Sequence, residues 1–268
     1  MKTRVIYGIV LAVVIITLTI VGDTAMKLAL LIISLIGLQE FYKAVKGNNQ
    51  LDFIGYGATV LYYALFTTGI NNFYMILNTG LLLILLAFMV IKHPKFTIDE
   101  IACTFLGFIY IPVLFSTVYL IRVSEYGFYL VWLTFITAFF TDIMAYFTGV
   151  RFGKRKLAPV LSPNKTVEGS IGGIVGTTVA SLLYGLVLSF LINDLGGVNP
   201  FIFSITVGFF CSIFAQFGDL AASSIKRSKN IKDYGNLIPG HGGIVDRFDS
   251  IFFTSTTIYI VMEFFNLI

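Results

Sequence analysis

About nine apolar stretches, each long enough to cross a bilayer, run through this chain and constrain its fold more than any motif. They lie near residues 5 to 21, 26 to 45, 53 to 69, 73 to 91, 98 to 121, 127 to 150, 170 to 192, 201 to 223 and 249 to 268. Leu, Ile, Val and Phe occupy all sides of each stretch, as in a helix surrounded by lipid or by other such helices. The runs are too long and too little alternated for an outer-membrane barrel, whose strands need only about ten alternating residues. Charged residues make up 12% of the chain and hydrophobic ones 57%, whereas a soluble domain carries ~25% charge. The expected fold class is an all-α integral membrane protein, a polytopic bundle of about nine transmembrane helices.

With a cytoplasmic amino terminus, the opposite face keeps only Lys27 and Arg122 of the 18 lysines and arginines. That bias obeys the positive-inside rule and puts both basic clusters, 151 to 165 and 226 to 247, on the cytoplasmic side. The expectation is a multi-pass protein of the inner cell membrane whose polar loops meet cytoplasmic nucleotides and anionic lipid headgroups; no nucleic-acid partner is expected. Lys2 and Arg4 precede the first span as in a signal peptide, but residues 18 to 21 offer no small-x-small cleavage site, so an uncleaved anchor is expected. Cys103 and Cys211 sit in apolar segments, and His93 and His241 are far apart with no cysteine near. Neither a disulfide framework nor a zinc site is expected.

The chain reads as one integral membrane unit with two unlike parts. Residues 1 to 125 hold few ionisable groups apart from Glu40 near a helix end, and read as scaffold helices. Residues 126 to 268 gather the polar chemistry and the basic loops. Asp142 lies inside an apolar run, where a carboxylate costs about 2.5 to 3.5 kcal/mol unless it finds a polar interior. It makes either an interhelical hydrogen bond or the lining of a polar cavity, and the cavity is the stronger reading.

Residues 151 to 170, RFGKRKLAPVLSPNKTVEGS, lead into the next span. Ser162, Pro163 and Asn164 read as a turn, with Lys165, Thr166 and Glu168 just before a helix entrance near Gly169 or Ser170. Lys and Thr at such an entrance suit phosphate, because free backbone N–H groups and the positive dipole end point toward an anion. The order does not fit a P-loop. Gly169, Gly172, Gly173 and Gly176 have the spacing of a close helix-packing face, within one chain or between two.

Residues 219 to 249, DLAASSIKRSKNIKDYGNLIPGHGGIVDRFD, crowd carboxylates, cations and glycines against the end of an apolar run. A phosphate-handling site at the bilayer surface is the natural reading of so costly a cluster. On a helix from Asp219, Ser223, Lys226 and Arg227 share its stripe. Asp246 and Asp249, three apart, point the same way on a short helical turn. Magnesium takes oxygen ligands from one or two carboxylates plus phosphates and waters, which acids from two helix ends can supply. Gly240, Gly242 and Gly243 let backbone approach a phosphate, and His241 either donates a hydrogen bond or caps the turn. Asp233, Tyr234 and Asn236 also suit an ordinary turn.

The run Ser223-x-Ile225-Lys226-Arg227, Lys232-Asp233-x-Gly235, Pro239-x-His241-Gly242-Gly243-x-x-Asp246-Arg247-x-Asp249 resembles the signature of phosphatidate cytidylyltransferases, also called CDP-diacylglycerol synthases. Ser162-Pro163-x-Lys165-Thr166-x-Glu168-Gly169, Phe152-Gly153-Lys154 and Gly218-Asp219 also look like elements of that family. The resemblance covers residues 138 to 250, with no departure at the charged motif positions; the first half resembles the family only in hydropathy. It implies cytidylyl transfer from CTP to phosphatidate, giving CDP-diacylglycerol and pyrophosphate with magnesium, and it is compatible with a second cation and with a homodimer. On this resemblance Asp219 and Asp246 are the expected metal acids, with Asp249 a weaker candidate. Lys226, Arg227, Arg247 and Lys165 are expected on phosphates. Thr166, Glu168, Asp142, Ser223, Lys232, Asp233, His241, Gly242 and Gly243 complete the expected substrate site. A lipid or polyprenol kinase and a secondary transporter are the alternatives; a transporter with inverted repeats should show related halves, and the polar residues here gather in one half.

Overall fold

The computed structural model describes residues 2–46, 51–66, 73–237 and 242–268; His241 lies outside the described residues, as do Pro239 and Gly240. Among the described residues the chain forms nine helical rods and one short hairpin. They are α1 (Lys2–Val21), α2 (Asp23–Lys46), α3 (Asp52–Leu65), α4 (Phe73–Ile91), α5 (Ile98–Val123) and α6 (Gly127–Phe152). The hairpin strands β1 (Lys156–Ala158) and β2 (Ser162–Thr166) follow, then α7 (Val167–Leu191), α8 (Pro200–Ser228) and α9 (Val245–Phe264). The all-α membrane class and the order of apolar segments therefore hold.

Six rods, α2 and α4 to α8, are long and apolar enough to cross a membrane. Among the described residues the other three do not meet that measure of length and composition, for separate reasons, so nine crossings are not established. In α1 the apolar part that lies among the fully described residues is Tyr7–Val21, 15 residues. With 14 residues, α3 is about 21 Å long, short of a ~30 Å hydrocarbon layer. Its 20 residues make α9 long enough, but Asp246, Arg247 and Asp249 crowd its first turns, and most of its residues are buried against other helices. Outward faces of the long helices are apolar instead, as at Phe190, which is 89% exposed.

Local chemistry sets the helix ends. Thr97 and Glu100 form a reciprocal capping box that starts α5. Further along, Pro112 lacks the N–H that an α-helical turn needs, and the turn Ile109–Val113 widens to π geometry around it. Asn199 caps α8 through its side-chain oxygen, 2.9 Å from the Phe201 nitrogen, and Pro200 occupies the first position, where a missing N–H costs nothing.

Residues 162 to 164, expected as a turn, instead begin β2, which pairs antiparallel with β1 at Ala158 to Ser162 and Lys156 to Thr166. In a two-stranded ribbon each strand has a free edge, so Pro163 can lack a donor there without breaking a ladder bond. Packing follows small residues. The face of Gly169, Gly172, Gly173 and Gly176 lies on α6 at Ala145, Thr148, Thr141 and Met144, within one chain. Polar pairs such as Thr117 with Ser255 at 2.8 Å join other helices in the apolar interior.

Candidate active site

The acids come together where α8 and α9 touch most closely. Gly218 permits this, because a Cβ there would stand 2.7 Å from the Asp249 carbonyl oxygen and 2.8 Å from the Phe253 ring. Asp219 follows directly on α8, and its carboxylate forms an ion pair with Lys165, delivered by β2. On α9, Asp249 is buried, and one of its carboxylate oxygens accepts the Ser250 N–H at 2.8 Å. Asp142 approaches from α6. Asp249 feels the negative charge of Asp219 and Asp142, offset by Lys226, and Asp142 feels that of Asp219, offset by Lys165 and Arg247.

Asp246 is held more tightly. One carboxylate oxygen receives the Lys226 ammonium at 2.6 Å, and the other accepts the backbone N–H groups of Tyr234 at 2.8 Å and Gly243 at 3.1 Å. Gly242 takes a φ of +85°, which a side chain rarely tolerates, and this turn aims the next N–H at the carboxylate. The loop between α8 and α9 is thus folded back around one buried acid. Lys226 stands 5.6 Å from the centre of the Tyr234 ring, so its charge rests between a carboxylate and an aromatic face. Burial and the nearby carboxylates of Asp246 and Asp249 push the Tyr234 phenol up, and its O–H donates to the Ala222 carbonyl at 3.3 Å.

A cavity of about 460 Å³ has Asp142 and Lys165, the partner of Asp219, in its wall, with Tyr146, Asn164, Thr166, Ser170 and Gln216. Asp142 is open to this space yet ringed by protein, which agrees with the cavity-lining role expected of it. Thr166 caps α7, its hydroxyl accepting the Gly169 N–H at 3.1 Å. Glu168 turns back to accept the N–H groups of Lys154 at 2.9 Å and Arg155 at 3.2 Å, so it braces the hairpin that carries Lys165.

Not every expected residue joins the cluster. Arg227 is exposed and donates to the Ile231 carbonyl at 3.3 Å, closing the end of α8. Lys232 and Asp233 stand exposed on the loop, and Ser223 is half-buried on α8. Arg247 is exposed at the start of α9. Three residues near the site were not among those expected there, Glu40 having been read as part of the scaffold. Glu40 of α2 accepts the Val245 N–H, Gln216 of α8 lines the cavity, and Tyr110 of α5 lies near the acids. Their only sequence signal was a polar group in an apolar run, which Glu40 and Gln216 share with many packing residues.

The donor type, carboxylate oxygen, is the one a hard divalent cation takes, but the grouping is sparse. Among the described residues no three acid, imidazole or thiol side chains are grouped closely enough to hold a metal. Magnesium commonly takes one or two protein carboxylates and completes its shell with phosphates and waters. Of the two acids expected to hold it, Asp246 has both oxygens committed inside the protein, whereas Asp219 is tied only through Lys165.

The sequence profile described as the cytidylyltransferase family matches residues 2–265. A phosphatidate cytidylyltransferase of Bacillus subtilis (strain 168) is 34% identical over 274 residues, covering 99% of each chain. One of Staphylococcus haemolyticus (strain JCSC1435) is 30% identical over 270 residues, 98% of this chain and 99% of the other. A third, of Thermotoga maritima, is 34% identical over 174 residues, 64% of this chain and 63% of the other.

Proposed function

This chain belongs to the cytidylyltransferase family, and from that premise we infer that it is a nucleotidyltransferase acting on CTP and phosphatidate, with CDP-diacylglycerol and pyrophosphate as products. The single observation that carries the site assignment is that buried Asp249 lies in the field of Asp219, Asp142 and Lys226, members of two acid–base pairs (Asp219 with Lys165, Asp246 with Lys226) and of a cavity wall that also holds Lys165. Acids and bases in alternation, at the mouth of a membrane bundle, suit two polyanionic reactants better than one neutral one.

In the reaction a phosphate oxygen of phosphatidate attacks the α-phosphorus of CTP. The new bond joins lipid phosphate to cytidylyl, and the bond from the α-phosphorus to its bridging oxygen breaks, so the electron pair leaves with pyrophosphate. The attacking oxygen is already anionic at neutral pH, and little general-base help is required. Charge neutralisation and alignment dominate the barrier. Lys226, pinned between Asp246 and Tyr234, is a cation fixed in place before substrate arrives. Lys165 sits at the cavity wall, and the charge of exposed Arg247 reaches Asp142 on the same wall.

Asp219 and Asp246 are the carboxylates that would hold magnesium, Asp246 by giving up one of its present partners, while Asp249 completes no three-acid group with them among the described residues. Bound there, the ion would offset the negative charge of the phosphates. One substrate is dissolved and the other carries two acyl chains, so the site must face the cytoplasm and open sideways to lipid. We therefore place the amino terminus and the site on the cytoplasmic side of the inner cell membrane, as the bias of basic residues favours.

The test is incubation of detergent-purified protein with phosphatidate, magnesium and CTP labelled at the α-phosphate. Label moving into the lipid phase with release of pyrophosphate is the expected result. Release of a nucleoside diphosphate would identify a lipid kinase instead, and absence of any labelled lipid would sink cytidylyl transfer.

A further inference from the structure

We propose that Tyr110 is a further substrate-contacting residue, its phenolic O–H donating to a phosphate oxygen of the reacting pair. The inference rests on the cytidylyl-transfer reading and extends it to a residue of the amino-terminal helices.

Tyr110 sits on the π turn Ile109–Val113 of α5, a local widening of the helix that recurs at functional sites because it re-aims a side chain. Its ring direction is fixed by three aromatic neighbours. Phe252 lies 5.6 Å away and Phe253 6.4 Å away, both edge-on, and Phe41 lies 6.0 Å away at a tilt. The two α9 phenylalanines follow Asp249 by three and four residues, one helical turn further on. The ring therefore packs one turn below the acid, where its hydroxyl lies in the electrostatic field of Tyr234 and of Asp249, Asp219 and Asp246.

The residue is only 6% exposed, and its hydroxyl oxygen is buried with no hydrogen-bond partner among the described residues. A buried hydroxyl without a partner weakens a fold, and natural proteins seldom keep one without a use. Here the surrounding groups are acids, yet none of them accepts its proton. What the hydroxyl lacks is an acceptor oxygen that arrives from outside. A phosphate oxygen has that chemistry, and Lys165 and Lys226 already stand with the same acids to compensate the charge it brings. An ordered water would satisfy the hydroxyl equally well, but would make it dispensable for turnover.

Tyr110→Phe separates these cases, because it keeps the ring contacts and removes only the hydroxyl. The full-length variant and wild type are compared in detergent by thermal melting and by kinetics with each substrate varied in turn. Melting is repeated with CTP and magnesium, and with short-chain phosphatidate. The unliganded variant should melt at or above the wild-type temperature, and kcat/KM should fall by at least about tenfold. A rise in KM for CTP alone assigns the contact to a CTP phosphate, and a rise for phosphatidate alone assigns it to the lipid. A fall in kcat at constant KM places the contact in the transition state. Wild-type efficiency with both substrates overturns the proposal, as does a variant that melts lower or fails to fold, which would give the hydroxyl a structural partner. If wild type transfers no label, the functional reading fails, and Tyr110 is judged by whether the variant loses the ligand-induced rise in melting temperature.

Discussion

The Glu40 carboxylate of α2 accepts the Val245 N–H of α9 at 3.2 Å, tying the amino-terminal helices to the turn that carries Asp246. No side chain of the neighbouring loop caps this helix start, so Glu40 supplies the acid that free N–H groups and the dipole favour. A Cβ at Gly235 or Gly243 would collide with the same carboxylate, so the loop is folded closely around it. Glu40→Ala should cost about 1 to 2 kcal/mol of stability and lower kcat. Glu40→Gln, which keeps an acceptor, should recover most of both in melting and turnover assays. Equal losses in the two variants would mean that the charge, rather than the cap, is what matters.

Asp246→Asn tests the buried ion pair. Removing the charge leaves Lys226 without its partner, and breaking such a pair costs about 3 to 5 kcal/mol. Magnesium-dependent turnover should fall by ~100-fold or more. Adding Lys226→Gln should restore much of the melting temperature and none of the activity. Near-normal turnover by purified Asp246→Asn would remove this acid from the proposed metal site.

Lys165 pairs with Asp219 from a hairpin at the cavity wall, where the cost of losing one partner is moderated by water. Lys165→Ala should therefore raise KM by roughly tenfold with a smaller change in kcat, as expected for charge that holds substrate in both ground and transition states. Steady-state kinetics with CTP and phosphatidate varied separately reads the split. A pure kcat loss would instead make Lys165 a transition-state group.

Much of this architecture was legible from the sequence because bilayer-length apolar runs have little choice but to be helices. Asp142 and Lys226 stood out for the same reason, as charges next to such runs. The hairpin was not legible. Pro163 and Asn164 carry turn chemistry, and only pairing with β1 makes them strand. Nor were the partners of Asp246, since Tyr234 and Gly243 reach it through loop folding rather than periodicity. Glu40 and Val245 are 205 residues apart, a contact that only the assembled bundle specifies. The glycine spacing at 169 to 176 announced a packing face but not its owner, which proved to be α6 of the same chain.

The contact of Gly218 with the Asp249 backbone makes the spacing of α8 and α9 a catalytic variable that can be changed without touching an acid. In Gly218→Ala the added methyl would stand 2.7 Å from the Asp249 carbonyl oxygen, a backbone atom that cannot rotate away. The helices must part, and Asp219 moves from Asp249 with them. Overpacking of this kind costs about 1 to 3 kcal/mol, and turnover should fall although every charged group remains. Gly80→Ala supplies the control, because a Cβ there meets nothing within 4 Å and alanine favours a helix interior by up to ~1 kcal/mol. Melting and turnover of both variants decide the matter. If Gly218→Ala retains wild-type turnover while Gly80→Ala behaves as expected, the close approach serves packing alone and the acids do not depend on it.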